Sequence, residues 1–176
     1  FVTEEELKIL LDEGANAGVF EPLEQHIVTR ALELDDISLQ SLITHRTRVQ
    51  WLDVGDSAEV VHRQIAENDF ASFPLCDGSM ARVKGVVRAR DALLELGGPA
   101  EPQREFDLGA IARQPLFVPL TVTPASILHL IRNHHASMVF AVDEYGGIEG
   151  IVTPMDILSA LIGMSESPKS KGARKK

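Results

Sequence analysis

The sequence repeats itself once, and that repetition limits the fold more than any other feature. Residues 83–94, VKGVVRARDALL, align with residues 148–159, IEGIVTPMDILS, when Gly85 is set against Gly150. Val87 then falls on Val152, Asp91 on Asp156 and Leu93 on Leu158. After a slip of one residue, FPLCD (73–77) matches VFAVD (139–143), Val61 and Ile65 match Ile127 and Ile131, and Trp51 matches Phe117. Each copy reads as short strand, helix, strand, turn, strand, helix. In the first, VQWL (49–52) is the strand and 57–68 the helix. FPLC (73–76) and VKGVV (83–87) form a hairpin, and a helix from Asp91 to Leu96 closes the copy before Gly97-Gly98. In the second, LFVPL (116–120) precedes a helix opened by Thr123-Pro124. MVFAV (138–142), the turn DEYGG (143–147), IEGIV (148–152) and a helix from Pro154 to Ile162 follow. Units this small do not bury a stable core alone, so the two should pack on each other's sheets. The expected class is α+β: two tandem β-α-β-β-α repeats arranged as a pseudo-twofold pair, behind an N-terminal helical lead-in.

The first 42 residues read as helix and not as a domain of their own. Thr3 followed by Glu6 is a capping-box pattern, opening a helix through Leu7, Leu10 and Leu11 that Gly14 is expected to stop. Pro22 suits the first turn of a second helix, with Leu23, Ile27, Ala31 and Leu34 on one face and Asp35-Asp36 at its end. The chain divides into the lead-in at 1–42, a first repeat at 43–97, a linker at 98–110, a second repeat at 111–163 and a tail at 164–176. Net charge is −9, but SESPKSKGARKK (165–176) holds five Lys/Arg against one Glu, leaving −13 on the rest. A body that acidic repels nucleic-acid phosphates. The tail reads as disordered and solvated and not as a lipid contact. No apolar run approaches the roughly 20 residues that span a bilayer. A single cysteine, Cys76, excludes an internal disulfide and any multi-cysteine metal cluster. The opening Phe1-Val2-Thr3 is neither a signal peptide nor an initiator methionine, so a piece of a longer protein is expected.

Thr153 and Asp156 are the leading polar candidates. Both lie at the start of a helix, where unpaired N–H groups favour phosphate or hydroxyl partners, and an Asp there can accept both hydroxyls of a ribose. The same spacing, with Pro154 at the first helical position, is also a plain helix cap that needs no ligand, and spacing alone favours the cap. The first repeat has Arg88 and Asp91 at these positions, so half of the pattern is missing; Arg88 and Arg90 read as solvated. His134-His135 diverge by about 100° on a helix, a poor metal pair, and suit a helix C-terminus better. Cys76 reads as a small core residue. With no Ser/His/Asp ordering, nucleophile elbow, P-loop or glycine-rich dinucleotide fingerprint, an enzyme is not expected.

The repeat and its motifs resemble a tandem pair of CBS domains, and more narrowly the pair of the CorC/HlyC-like family, often labelled hemolysin-related and associated with magnesium and cobalt efflux. The lead-in matches as Thr3-Glu4-Glu5-Glu6-Leu7, Gly18, Glu24, Ile27 and Leu32-Glu33-Leu34; "M-T-P-R" appears as Ile43-Thr44-His45-Arg46; and "V-D-E-Y-G-G-x-x-G-I/L-V-T-x-x-D-I/L" is complete from Val142 to Ile157. The resemblance implies an adenosine nucleotide (AMP, ADP or ATP, the last with Mg2+) bound between the repeats. It implies a homodimer through the CBS helices, and an attached membrane domain that places the module on the cytoplasmic side of a bacterial inner membrane. It turns Thr153 and Asp156 into nucleotide-binding residues and nominates Thr44 and Arg46 as the facing wall. The family's "H-S-R-x-P-V" corresponds to Phe70-Ala71-Ser72-Phe73-Pro74-Leu75, so the backbone of Ala71 to Phe73 should lie beside the base, with Phe73 or Val49 packing on it. Ser72 stands where the family has arginine, and His45 where it has proline. These departures remove a phosphate contact and weigh against triphosphate more than against adenosine. One site per chain is expected, with the first-repeat position silent. The alternative is a structural dimerisation module whose nucleotide site has decayed.

Overall fold

A computed structural model describes residues 1–97 and 105–163; residues 98–104 of the expected linker at 98–110 and the tail from 164 lie outside the described residues. The helices are α1 (Glu4–Asn16), α2 (Pro22–Leu32), α3 (Leu39–Leu42), α4 (Ala58–Ala66), α5 (Ala89–Leu96), α6 (Leu108–Ile111), α7 (Pro124–His134) and α8 (Pro154–Ile162). The strands are β1 (Thr44–His45), β2 (Leu52–Asp53), β3 (Ser72–Cys76), β4 (Val83–Arg88), β5 (Phe117–Pro119), β6 (Val139–Val142) and β7 (Ile148–Val152). The copies are thus β2-α4-β3-β4-α5 and β5-α7-β6-β7-α8, the order the repeat implies. Their helices start where side-chain oxygens cap them: Ser57 Oγ accepts from the Val60 N–H and Thr123 Oγ1 from the Ser126 N–H.

Each repeat forms one sheet, with a parallel outer pair and an antiparallel hairpin: β2-β3-β4 in the first and β5-β6-β7 in the second. The second sheet gains a fourth strand from an unexpected place. β1 lies ahead of β2, at the entry to the first repeat, yet pairs antiparallel with β7, Thr44 opposite Ile151 and His45 opposite Gly150. The mate of this pairing is a bridge between Arg113, ahead of β5 at the entry to the second repeat, and Val86 in β4, closed by hydrogen bonds of 2.9 and 2.8 Å. Each leading segment therefore crosses over to edge the other repeat's sheet. The crossing explains the glycine shared by both motifs. A Cβ at Gly150 would run into the Thr44 carbonyl, and one at Gly85 would lie 2.8 Å from the Arg113 carbonyl oxygen.

Side-chain alternation along the strands sorts the apolar residues into three layers. Phe73, Leu75 and Val87 pack with Val61, Ala92 and Leu52 against the first repeat's helices, joined by Leu108 from α6. Val139, Ala141 and Val152 pack with Ile127, Ile131 and Ile157 in the second, joined by Leu39 and Leu42 from α3. Between the sheets, Val49, Cys76, Met80 and Val86 meet Met138, Phe140, Ile148 and Ile151. Neither repeat closes its core without a helix from the segment ahead of the other.

Four local expectations are corrected. Gly14 does not stop α1, which runs to Asn16; the chain turns at Gly18, with φ +74°. Gly14 instead makes room for Phe20, whose ring would lie 2.8 Å from a Cβ there. α2 ends at Leu32, with Leu34 to Asp36 in a 3-10 turn. The strand expected at 49–52 is only Leu52–Asp53, because the preceding residues leave the second sheet through a 3-10 turn at Arg46–Arg48 and cross to the first. α5 starts two residues early, at Ala89. The DEYGG turn forms as expected: Asp143 Oδ1 accepts from the Tyr145 and Gly147 N–H groups, and Gly146 takes φ +80°.

Candidate functional site

The second motif is a closed local network. Thr153 is the N-cap of α8, and its Oγ1 accepts from the Asp156 N–H at 3.4 Å. Asp156 Oδ2 accepts in return from the Thr153 N–H at 2.8 Å and from its hydroxyl at 3.0 Å. Asp156 is 7% exposed, the one buried charged residue among those described. The positive end of the helix and these donors stabilise a carboxylate that would otherwise be costly to bury. Thr44 is half-buried on the adjacent strand, opposite Ile151, two residues before Thr153. The far end of α8 is held by the lead-in. Arg30 Nε donates to the Ala160 carbonyl at 3.2 Å, and the His26 ring lies over Gly163, where a Cβ would come within 2.8 Å of Nε2.

The first motif is arranged differently at the same place. Arg88 is the N-cap of α5 in extended backbone, as Thr153 is of α8, but no side chain caps that helix. Arg88 Nη2 instead donates 3.0 Å across the repeat boundary to the carbonyl of His135. The reading of Arg88 as merely solvated is therefore corrected. His135 ends α7 in left-handed backbone, φ 49°, the only such non-glycine among the described residues. The guanidinium thus meets the negative end of α7. His134 Nδ1 lies 3.0 Å from the Leu130 carbonyl oxygen on the same helix. Cys76 is fully buried, and its thiol is pushed up to about 12, first by burial and then by the Asp53 carboxylate.

The other candidates are spread over both sheets. Arg46 is exposed in the turn after β1. Val49 is buried in the layer between the repeats. Ala71 is exposed, and its carbonyl accepts from the Ala89 N–H at 2.9 Å. Ser72, Phe73 and Pro74 lie in β3 opposite Arg88, Val87 and Val86. Phe73 is wholly buried in the first repeat's own core, so its ring does not reach a ligand and the expectation that it packs on a base is corrected. None of the described hydrogen bonds ties residues 71–74 to Thr153 or Asp156. Two open cavities lie at the first repeat: about 420 Å³ lined by residues including Asp77, Lys84 and Arg113, and about 340 Å³ lined by Asp91, Leu94, Glu95, Ile111 and Arg113. Sequence reasoning missed Arg113 and the reach of Arg88. The signal for Arg113 was its position at the entry to the second repeat, ahead of β5, equivalent to that of Thr44 ahead of β2 in the first.

Comparison with known proteins bears on this arrangement directly. The CBS domain profile matches residues 107–163. The UPF0053 protein sll0260 of Synechocystis is 33% identical over 92% of this chain and 35% of its own length. The UPF0053 inner membrane protein YoaE of Escherichia coli K12 is 30% identical over 83% of this chain and 27% of its own length. The chain thus spans about a third of the curated relatives it matches. Among solved structures, the CBS domain of the bacterial CNNM/CorC family Mg2+ transporter is 25% identical, with a TM-score of 0.81 over 95% of this chain and 100% of that one. The same domain in complex with ATP is 25% identical, with a TM-score of 0.71 over 81% of this chain and 99% of that one. Among the described residues of the present chain, no helix is long and apolar enough to cross a membrane. Repeat, crossed sheets and relatives agree: this chain is a tandem pair of CBS domains and belongs to the CorC/HlyC-like family.

Proposed function

We propose that the chain is a regulatory adenosine-nucleotide-binding module, without chemistry of its own, of a membrane protein that exports magnesium or cobalt or is hemolysin-related. The observation that carries this reading is the Thr153–Asp156 pair at the start of α8, its carboxylate buried, with Thr44 on the neighbouring strand. Helix-start N–H groups, two hydroxyls and a carboxylate are what a ribose and a first phosphate need. The pseudo-twofold supplies the opposite wall. Arg88 reaches His135, four residues before β6; by the same symmetry its mate Thr153 faces the segment leading into β3, at Asp69, close to Ala71 and Ser72. Val49 closes the floor and Arg46 flanks the mouth; Ala71 and Ser72 contribute backbone, and the fully buried Phe73 and Pro74 hold that segment in place. AMP fits this set better than ATP, because no cation stands at position 72. Binding would change how the repeats or two copies of the chain pack, and pass that change to a membrane domain on the cytoplasmic side. Such regulation works only if the two states differ in affinity for the nucleotide.

A second reading, a structural dimerisation module, is favoured by one observation: Asp156 Oδ2 is already engaged by its own cap. A thermal-shift titration with AMP, ADP and ATP, each with and without Mg2+, separates the two. A ligand at a hundred times its Kd adds about 2.7 kcal/mol, a shift of several degrees. The sensor reading expects that shift in the wild type and its loss in Asp156→Ala. Indifference to every nucleotide would leave the structural module.

A further inference from the structure

The geometry points to Arg88 as a built-in bolt between the repeats, closing the first cleft and limiting each chain to one nucleotide. The inference rests on the nucleotide-binding reading for its stoichiometry, but not for the bolt itself. The first cleft keeps most of its parts. Asp91 stands where Asp156 stands in the second, and Arg113 crosses to Val86 as Thr44 crosses to Ile151. Asp91 and Arg113 still line one cavity of about 340 Å³. Two things set the clefts apart, and both come from one residue. Position 88 has no hydroxyl, so α5 lacks the cap that α8 has and the cleft lacks that ligand partner. In its place a guanidinium spans the boundary and donates to the His135 carbonyl at 3.0 Å. The acceptor suits the purpose. His135 is turned into left-handed backbone at the end of α7, where helix carbonyls carry partial negative charge and favour a cation. Thr153 is too short to make the mirror contact and turns inward to Asp156, so the second cleft has no bolt.

Two experiments on the whole chain test this. Backbone hydrogen exchange without nucleotide compares the wild type with Arg88→Ala and Arg88→Lys. A bolt predicts that the amides of His135 and Ala136, which bond back to α7, exchange about threefold faster in Arg88→Ala. Arg88→Lys should recover part of the protection. Unchanged exchange overturns the bolt. Calorimetric titration with AMP then compares the wild type with Arg88→Thr, alone and with Asp156→Ala. One AMP per wild-type chain, two for Arg88→Thr and one for the double variant are expected. One for Arg88→Thr, or two for the wild type, overturns Arg88 as the residue that sets stoichiometry. If the wild type takes no AMP, the nucleotide reading fails, and the exchange experiment alone decides the bolt.

Discussion

The two repeats share a backbone plan but treat the same position in opposite ways. At the start of α8, Thr153 turns inward and closes a network with a buried Asp156. At the start of α5, Arg88 turns outward and binds the other repeat. The pair therefore keeps symmetric cores and crossed sheets while its two clefts diverge. One side chain decides whether a helix start closes on its own first turn or clamps a neighbour. The crossing of leading segments also couples the halves, since each core is completed by a short helix belonging to the chain ahead of the other.

The largest expected effect tests that coupling. Phe140→Ala empties the layer between the sheets and should cost about 3–5 kcal/mol. Because the layer is shared, urea unfolding followed by the single Trp51, which packs on it from the first repeat, should move together with the helical signal. Separate midpoints would show that the halves are independent. Next come the two crossing glycines. Gly150→Ala places a methyl on the Thr44 carbonyl and should cost about 3 kcal/mol; Gly85→Ala, with looser neighbours, about 1–2 kcal/mol. The reverse order in denaturant melts would contradict the tighter crossing at the second sheet.

A smaller difference lies at the helix starts. Thr153→Ala removes a cap and should cost about 1 kcal/mol, while Arg88→Ala, which caps nothing, should cost less. Equal losses would erase the distinction between cap and clamp. The smallest effect at neutral pH is Cys76→Val, which installs the residue that the second repeat has at the equivalent position, Val142. The folded thiol is held above its unfolded value, so its stabilising contribution is complete below about pH 9 and declines as pH rises toward 12. The wild type should lose stability between pH 8 and pH 10.5 relative to Cys76→Val. Parallel pH profiles would mean that the thiol is not shielded.

Local chemistry made much of this legible in the sequence. The aligned glycines and apolar positions yielded both repeats, and Thr3, Thr123-Pro124 and Thr153-Pro154 marked helix starts that the structure keeps. The Asp143 turn followed from the residues that turn needs. What stayed hidden depends on residues far apart in the chain. Nothing near Thr44 says that it pairs with Ile151, and nothing near Arg88 says that a carbonyl 47 residues on lies within its reach. Gly14 misled for the same reason, since its partner is a ring that folds back from Phe20. The Thr153–Asp156 pair was visible as a motif and the family resemblance nominated Thr44 beside it, but the burial of Asp156 and the strand pairing that seats Thr44 on the neighbouring strand became visible only once the leading segment had crossed.

The most direct test of the account is a crystal structure of the chain grown with AMP. The account predicts one nucleotide per chain, its ribose against Asp156 and Thr153 and its phosphate toward Thr44, with the Arg88–His135 bond intact. A nucleotide beside Arg88 and Asp91, or one in each cleft, would contradict it.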